Sequence, residues 1–182
     1  MDPQRFFIAL LPPPQVCTQV TQIKQAFEAD YGSRKALNSP PHITLQVPFD
    51  WTGDIEELVW GLEEFAQQHR PIAIAHQGFG AFAPRVIYIN VTATKELTAL
   101  QQQLDAYMHR RYGTSPHPYP SFHPHMTVAF RDLTPAAFHQ AWPQYQRRSI
   151  EFNYRCSALT LLHHNGQRWQ PYQSFPFTGG RT

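Results

Sequence analysis

Two short segments of this chain match each other closely: Pro41-His42-Ile43-Thr44-Leu45 and Pro124-His125-Met126-Thr127-Val128. Each reads as a β-strand that follows a proline. Side chains on a strand alternate between faces, so His42 and Thr44 share one face while Ile43, Leu45 and Val47 share the other. The second segment divides the same way, with His125 and Thr127 opposite Met126 and Val128. A strand of this kind must bury one side in a core and leave an imidazole and a hydroxyl on the other. The same parity predicts Gln46 and Arg131 on the polar faces, provided the strands stay regular that far.

The segments recur in a matching order of elements. Hydrophobic spacing and turn residues predict strands at 6–11, 42–47, 72–79, 86–91, 125–130, 150–154, 158–163 and 169–177. Helices are predicted at 16–31, 54–69, 94–112 and 135–142, and loops at 34–39 and 114–122. Pro48 is expected to end the first motif strand. Motif strand, helix, strand, strand therefore occurs once within about 41–92 and again within about 123–177. This order predicts an α+β fold of mostly antiparallel sheet, and the 182 residues fit one domain, or one domain of two intimate lobes, over residues 1–182.

Two imidazoles facing across a cleft suit phosphodiester chemistry. One takes a proton from the attacking water or hydroxyl, and the other gives a proton to the leaving oxygen. Histidine has a reference pKa of about 6.5, so one copy can be neutral and the other charged near neutral pH. Each proton transfer contributes roughly 10²–10⁴-fold in rate. Threonine hydroxyls can donate to the non-bridging phosphate oxygens as they gain charge. A single His-x-Thr is weak evidence, because strand histidines are commonly structural; two copies with the same flanks point to a paired site.

The doubled motif resembles that of the two-histidine (2H) phosphoesterases, also called the 2′-5′ RNA ligase or cyclic phosphodiesterase superfamily. Pro48-Phe49 after the first motif, the Phe7-Ile8-Ala9-Leu10-Leu11-Pro12 strand and Pro84-Arg85-Val86-Ile87-Tyr88 support the resemblance, which covers nearly the whole chain. Val128 stands where leucine is usual in that family. The resemblance implies a bilobal α+β fold, two sheets related by a pseudo-two-fold axis around a central cleft, with helices outside. It implies catalytic His42 and His125, with Thr44 and Thr127 on the phosphate. It implies opening of a 2′,3′-cyclic or 1″,2″-cyclic phosphate, or reversible 2′-5′ RNA joining. The expected substrate is an RNA end or a small cyclic nucleotide. The competing reading is a non-catalytic nucleotide- or RNA-binding module of the same fold.

Other residues are weighed beside the motifs. Arg131 could clamp a phosphate oxygen pair or simply be solvated at a strand end. Tyr88 and Tyr119 could stack a base, although Tyr88 alternates with Ile87 and Ile89 and could equally be core. His123 is expected to be a bystander. His123-x-His125 and His163-His164 have no acidic neighbour, so neither a metal nor another cofactor is expected. The net charge of +2 is too small to coat a nucleic acid, so any basic site is local. Cys17 and Cys156 form no metal or redox spacing. The apolar run near the N-terminus is too short to span a bilayer. A cytoplasmic monomer that needs neither membrane nor protein partner is the expectation.

Overall fold

The structure, a computed structural model, describes residues 3–118 and 121–179. The elements run β1 (Gln4–Leu10), α1 (Pro14–Tyr31), β2 (Ile43–Trp51), α2 (Ile55–Gln67), β3 (Ile72–Phe82), β4 (Val86–Val91), α3 (Lys95–Tyr112), β5 (His125–Ala129), α4 (Pro135–Tyr145), β6 (Glu151–Cys156), β7 (Ala158–His164) and β8 (Trp169–Pro176). A 3₁₀ turn, Lys35–Asn38, occupies the stretch read from sequence as loop.

Local chemistry sets these boundaries. α1 starts at two prolines, which suit a first turn whose N–H groups have no partner, and ends at Gly32 in the left-handed conformation (φ 68°). Asp54 caps α2, Thr94 caps α3 and Thr134 caps α4, each by a side-chain oxygen that accepts a first-turn N–H. Pro143 lies inside α4, which runs past the expected end at Trp142 to Tyr145. β2 likewise passes through Pro48 to Trp51. It is an edge strand, so the missing proline N–H costs no ladder bond on the open side.

The strands form two four-stranded sheets, ordered β2-β1-β7-β8 and β5-β4-β3-β6, and every pairing is antiparallel. The motif strands β2 and β5 are edges of different sheets. Each pairs with the strand that lies one helix before it in the chain: β1 precedes α1 and β2, and β4 precedes α3 and β5. The matched structural unit is therefore strand, helix, motif strand, helix. It starts one strand earlier than the repeat legible in sequence, and β3 and β4, which follow the first motif, belong to the second motif's sheet.

One large core joins the two halves. Phe6, Ile8, Leu10, Ile43, Leu45, Leu62, Ile87, Ile89, Met126, Val128 and Leu161 are among its fully or almost fully buried members. Each such side chain contributes roughly 1.5–3 kcal/mol relative to exposure. Phe7, Ala9 and Leu162 form a separate small cluster with Leu11 and Trp169 against it. Phe7 and Ala9 alternate with Phe6, Ile8 and Leu10, so this cluster marks the opposite face of the β1 sheet, the face turned away from the main core.

Candidate active site

His42 and His125 are held by the same bond. His42 Nδ1 lies 2.7 Å from the Pro40 carbonyl, and His125 Nδ1 lies 2.7 Å from the His123 carbonyl. In both cases the acceptor is two residues back, across the proline that precedes the histidine. Proline fixes its own φ and biases the residue before it toward extended backbone, which presents that carbonyl to the ring. A carbonyl can only accept, so Nδ1 carries the proton and Nε2 is the atom left for a substrate.

Register places the partners. His125 pairs with Asn90 and Thr127 with Tyr88, so all four share a face of the β5-β4 sheet. Thr44 pairs with Ala9, on the face that carries the small Phe7–Ala9–Leu162 cluster, and the Phe7 ring stands 4.8 Å from the His42 ring. β2 and β5 also contact one another, which brings the two motifs to one seam. His42, Thr44, His125 and Thr127 are all half-buried. Among the described residues neither threonine hydroxyl is engaged in a hydrogen bond.

Gln46 departs from the expected polar face. The β1–β2 register shifts between Thr44 and Gln46, so Gln46 pairs with core-facing Ile8 and is buried. Arg131 lies beyond the end of β5, in a turn with φ 61°; it is exposed, with its guanidinium 5.2 Å from the Phe130 ring centre. Its neighbour Asp132 accepts bonds from Ser33 Oγ and from the main-chain N–H groups of Arg34 and Lys35, each at 3.0 Å. That carboxylate ties the loop after β5 to the end of α1.

Tyr88 is only 5% exposed, and its ring packs 5.1 Å from His125. Its hydroxyl meets His123 Nε2 at 3.1 Å. Tyr88 thus supports His125 and offers little open face to a base. The exposed ring beside it is Phe82, 42% exposed, 4.6 Å from Tyr88 and 5.2 Å from His125. Sequence reading missed Phe82 because β3 was expected to end at residue 79; its parity with Gly80, the partner of Tyr88, is the signal that finds it. Nor is His123 a bystander, because its carbonyl holds His125 and its ring holds Tyr88. Tyr119 lies outside the described residues.

Sequence reading also missed Lys24. It falls four residues after buried Val20 on the inward face of α1 and is 2% exposed. Its Nζ donates to the Ala36 and Ser39 carbonyls, each at 2.9 Å. Burial pushes its pKa down to about 8. Burial also pushes His42 down to about 4, opposed by the Pro40 carbonyl and assisted by the charges of Lys24 and His125. His125 is lowered as well, by burial first, with the His123 carbonyl opposing and the His123 charge assisting. Both imidazoles are therefore biased toward the neutral form.

His163 packs on Phe6 and His164 on Trp169, so that pair does not converge on one point. Among the described residues no group of three or more His, Cys, Asp or Glu is placed to hold a metal ion. No helix there is long and apolar enough to cross a membrane.

A family model described as the 2′-5′ RNA ligase superfamily matches residues 12–168. The chain belongs to that superfamily. Relatives bearing a provisional phosphoesterase name include one from Bacillus pumilus, 32% identical over 163 residues (86% of this chain, 90% of the relative). Another, from Geobacillus thermodenitrificans, is 30% identical over 174 residues (93% and 95%). Among solved structures, a Thermus thermophilus protein superposes with a TM-score of 0.69 at 18% identity, covering 97% of this chain and 99% of that one. Escherichia coli LigT, crystallised with 3′-AMP, superposes with a TM-score of 0.68 at 20% identity over the same shares. At these identities the superpositions establish the fold alone and leave the site to be argued from its own residues.

Proposed function

We propose that this phosphoesterase-family chain opens a cyclic phosphodiester, a 2′,3′-cyclic phosphate at an RNA end or on a nucleotide, by proton transfer between two histidines. The observation that carries this reading is the matched pair of Nδ1-to-carbonyl tethers on two abutting edge strands. Both leave Nε2 free, and two free Nε2 atoms at one seam are what an in-line displacement needs. One neutral Nε2 removes a proton from water as its oxygen bonds to phosphorus. The other, protonated, passes its proton to the ribose oxygen as the P–O bond of the ring breaks. The product is a phosphate monoester beside a free hydroxyl, and the proton count closes. With a 5′-hydroxyl attacking phosphorus in place of water and the 3′ oxygen of the ring leaving with the proton, the same groups would join a 2′-5′ linkage.

Thr44 and Thr127 supply donors to the non-bridging oxygens, and their unengaged hydroxyls support that role. An anion in the site also favours protonated imidazole, which offsets the burial that disfavours the charged form of both rings. The LigT complex with 3′-AMP supports a nucleotide as the kind of ligand this fold accepts. The scheme calls for no metal.

The test is a substrate panel: 2′,3′-cyclic nucleotides, a 1″,2″-cyclic phosphate, cyclic-ended RNA and 2′-5′ linked oligomers, each with and without EDTA. Turnover of a cyclic phosphate to one monoester isomer, unchanged by EDTA, is expected. Tight binding with no turnover of any member would replace this reading with the binding module.

A further inference from the structure

The two histidines share a tether but not their surroundings. His125 is faced by Phe82, Tyr88 and His123. Beneath the segment that leads into His42 lies the ammonium of Lys24. Its two acceptors, Ala36 O and Ser39 O, belong to the 3₁₀ turn and to the residue just after it. The next carbonyl along the chain, that of Pro40, is the one that holds His42 Nδ1. Lysine and imidazole thus grip consecutive carbonyls of one stretch, which keeps their charges within roughly 10 Å of each other. Pro40 and Pro41 stiffen that stretch, so a clamp on Ser39 is felt at His42.

We propose that Lys24 is a positioning residue that breaks the symmetry of the site: it fixes the loop that orients His42 and, through its charge, keeps His42 neutral, making His42 the general base and His125 the general acid. This rests on the two-histidine reading above. A cation nearby disfavours a second positive charge, so His42 resists protonation and stays ready to accept a proton from water. The other titratable groups facing the pair are Cys17, from α1 beside Lys24, and His125, from β5 beside His42. Burial of Lys24 explains why it is not a surface cation: its methylenes sit within the α1 face and its ammonium is satisfied by main-chain oxygens. Charge on Lys24 persists through the acid range in which His42 titrates, because its own pKa lies near 8.

The experiment is an NMR titration of the imidazole Cε1–H signals in the full chain, for wild type, Lys24→Gln and Lys24→Arg, beside kcat/KM against pH on a 2′,3′-cyclic nucleotide. Glutamine keeps an N–H₂ donor for the loop and drops the charge, whereas arginine keeps both. In wild type, His42 should titrate below His125. In Lys24→Gln, the His42 midpoint should rise by roughly 0.3–1.2 pH units, the range given by one charge at this separation between watery and protein-like screening. His125 should move much less, and the acid limb of kcat/KM should follow His42 upward. Lys24→Arg should leave the midpoints near wild type. A His42 midpoint at or above that of His125 in wild type overturns the proposal, and that measurement does not depend on any variant folding. So does a folded Lys24→Gln in which His42 stays put or both histidines shift alike. If the chain turns over none of the substrates, the two-histidine reading fails, yet the titration still decides the effect of Lys24 on His42.

Discussion

Gly80 faces Tyr88 across the β3–β4 ladder, and the space between them is already full. A Cβ added at Gly80 would run into the Tyr88 ring and come within 2.6 Å of Asn90 Oδ1. Neither neighbour yields easily. Tyr88 is held by His123 through its hydroxyl, and Asn90 donates its amide to the Gln77 carbonyl at 3.1 Å. Overpacking of this kind costs roughly 1–3 kcal/mol. For a chain of this size that lowers Tm by about 2–12 °C. The push also reaches the site, because the Tyr88 ring backs His125. A shift of about 1 Å there can cost on the order of 10²-fold in rate. Gly80→Ala should therefore lose both stability and kcat/KM. In a Tyr88→Ala background the same change should cost at least about 0.5 kcal/mol less, the coupling expected of residues in direct contact. Urea unfolding of the four proteins of this cycle gives the number. Equal cost in both backgrounds, or a Gly80→Ala protein within about 0.5 kcal/mol of wild type, would refute the packing argument.

Three other outcomes follow from the same geometry. His76 is fully buried with Nε2 3.0 Å from the Tyr154 hydroxyl, and burial pushes it down to about 4. Its folded pKa lies below the unfolded value near 6.5, so the unfolded chain takes up the proton first and stability falls as pH drops from about 6.5 to 4. At about 1.4 kcal/mol per pH unit the loss is on the order of 3 kcal/mol. Denaturation against pH should show this slope, and a His76→Gln protein with an equally steep slope would rule His76 out as its source. Asp132→Ala releases three hydrogen bonds between the loop after β5 and the end of α1. A loss of about 1–3 kcal/mol is expected on urea unfolding, and no measurable loss would show the tether to be idle. Thr44→Val and Thr127→Val keep strand shape and remove one donor each, so kcat/KM should fall by up to roughly 10²–10³-fold. Unchanged kinetics in both would take the hydroxyls off the phosphate.

Much of this site is legible in the sequence because strand parity is a strong rule. His42 and Thr44, and His125 and Thr127, lie on faces opposite Ile43, Leu45, Met126 and Val128, which are all fully buried. Parity failed where a bulge intervened: Gln46 was placed by counting, and one register shift turned it into the core. It failed at Arg131 because the strand stopped two residues short. Proline was read too strictly at Pro48, since its place on an edge strand, which a linear reading does not hold, decides its effect. Tyr88 and His123 were weighed singly, whereas their roles come from a hydrogen bond between strand and loop. The exchange of strands between the two motif units was hidden for the same reason. Pairing partners far apart in sequence carry no local signal. Lys24 was not singled out, although its place four residues after Val20 puts it on the inward face of α1.

The central claim is that two imidazoles do the proton transfers. The most direct measurement is kcat/KM against pH on a 2′,3′-cyclic nucleotide for wild type, His42→Ala and His125→Ala, with chemistry shown to be rate-limiting. Wild type should give a bell. Its centre should lie on the acid side of pH 6.5, since both rings are pulled below the ordinary histidine value in the free protein. Each alanine protein should stay folded and lose roughly 10²-fold or more, with His42→Ala losing the acid limb and His125→Ala the basic limb. A profile flat from about pH 5 to 9, or a folded variant with wild-type kcat, would contradict paired-histidine catalysis.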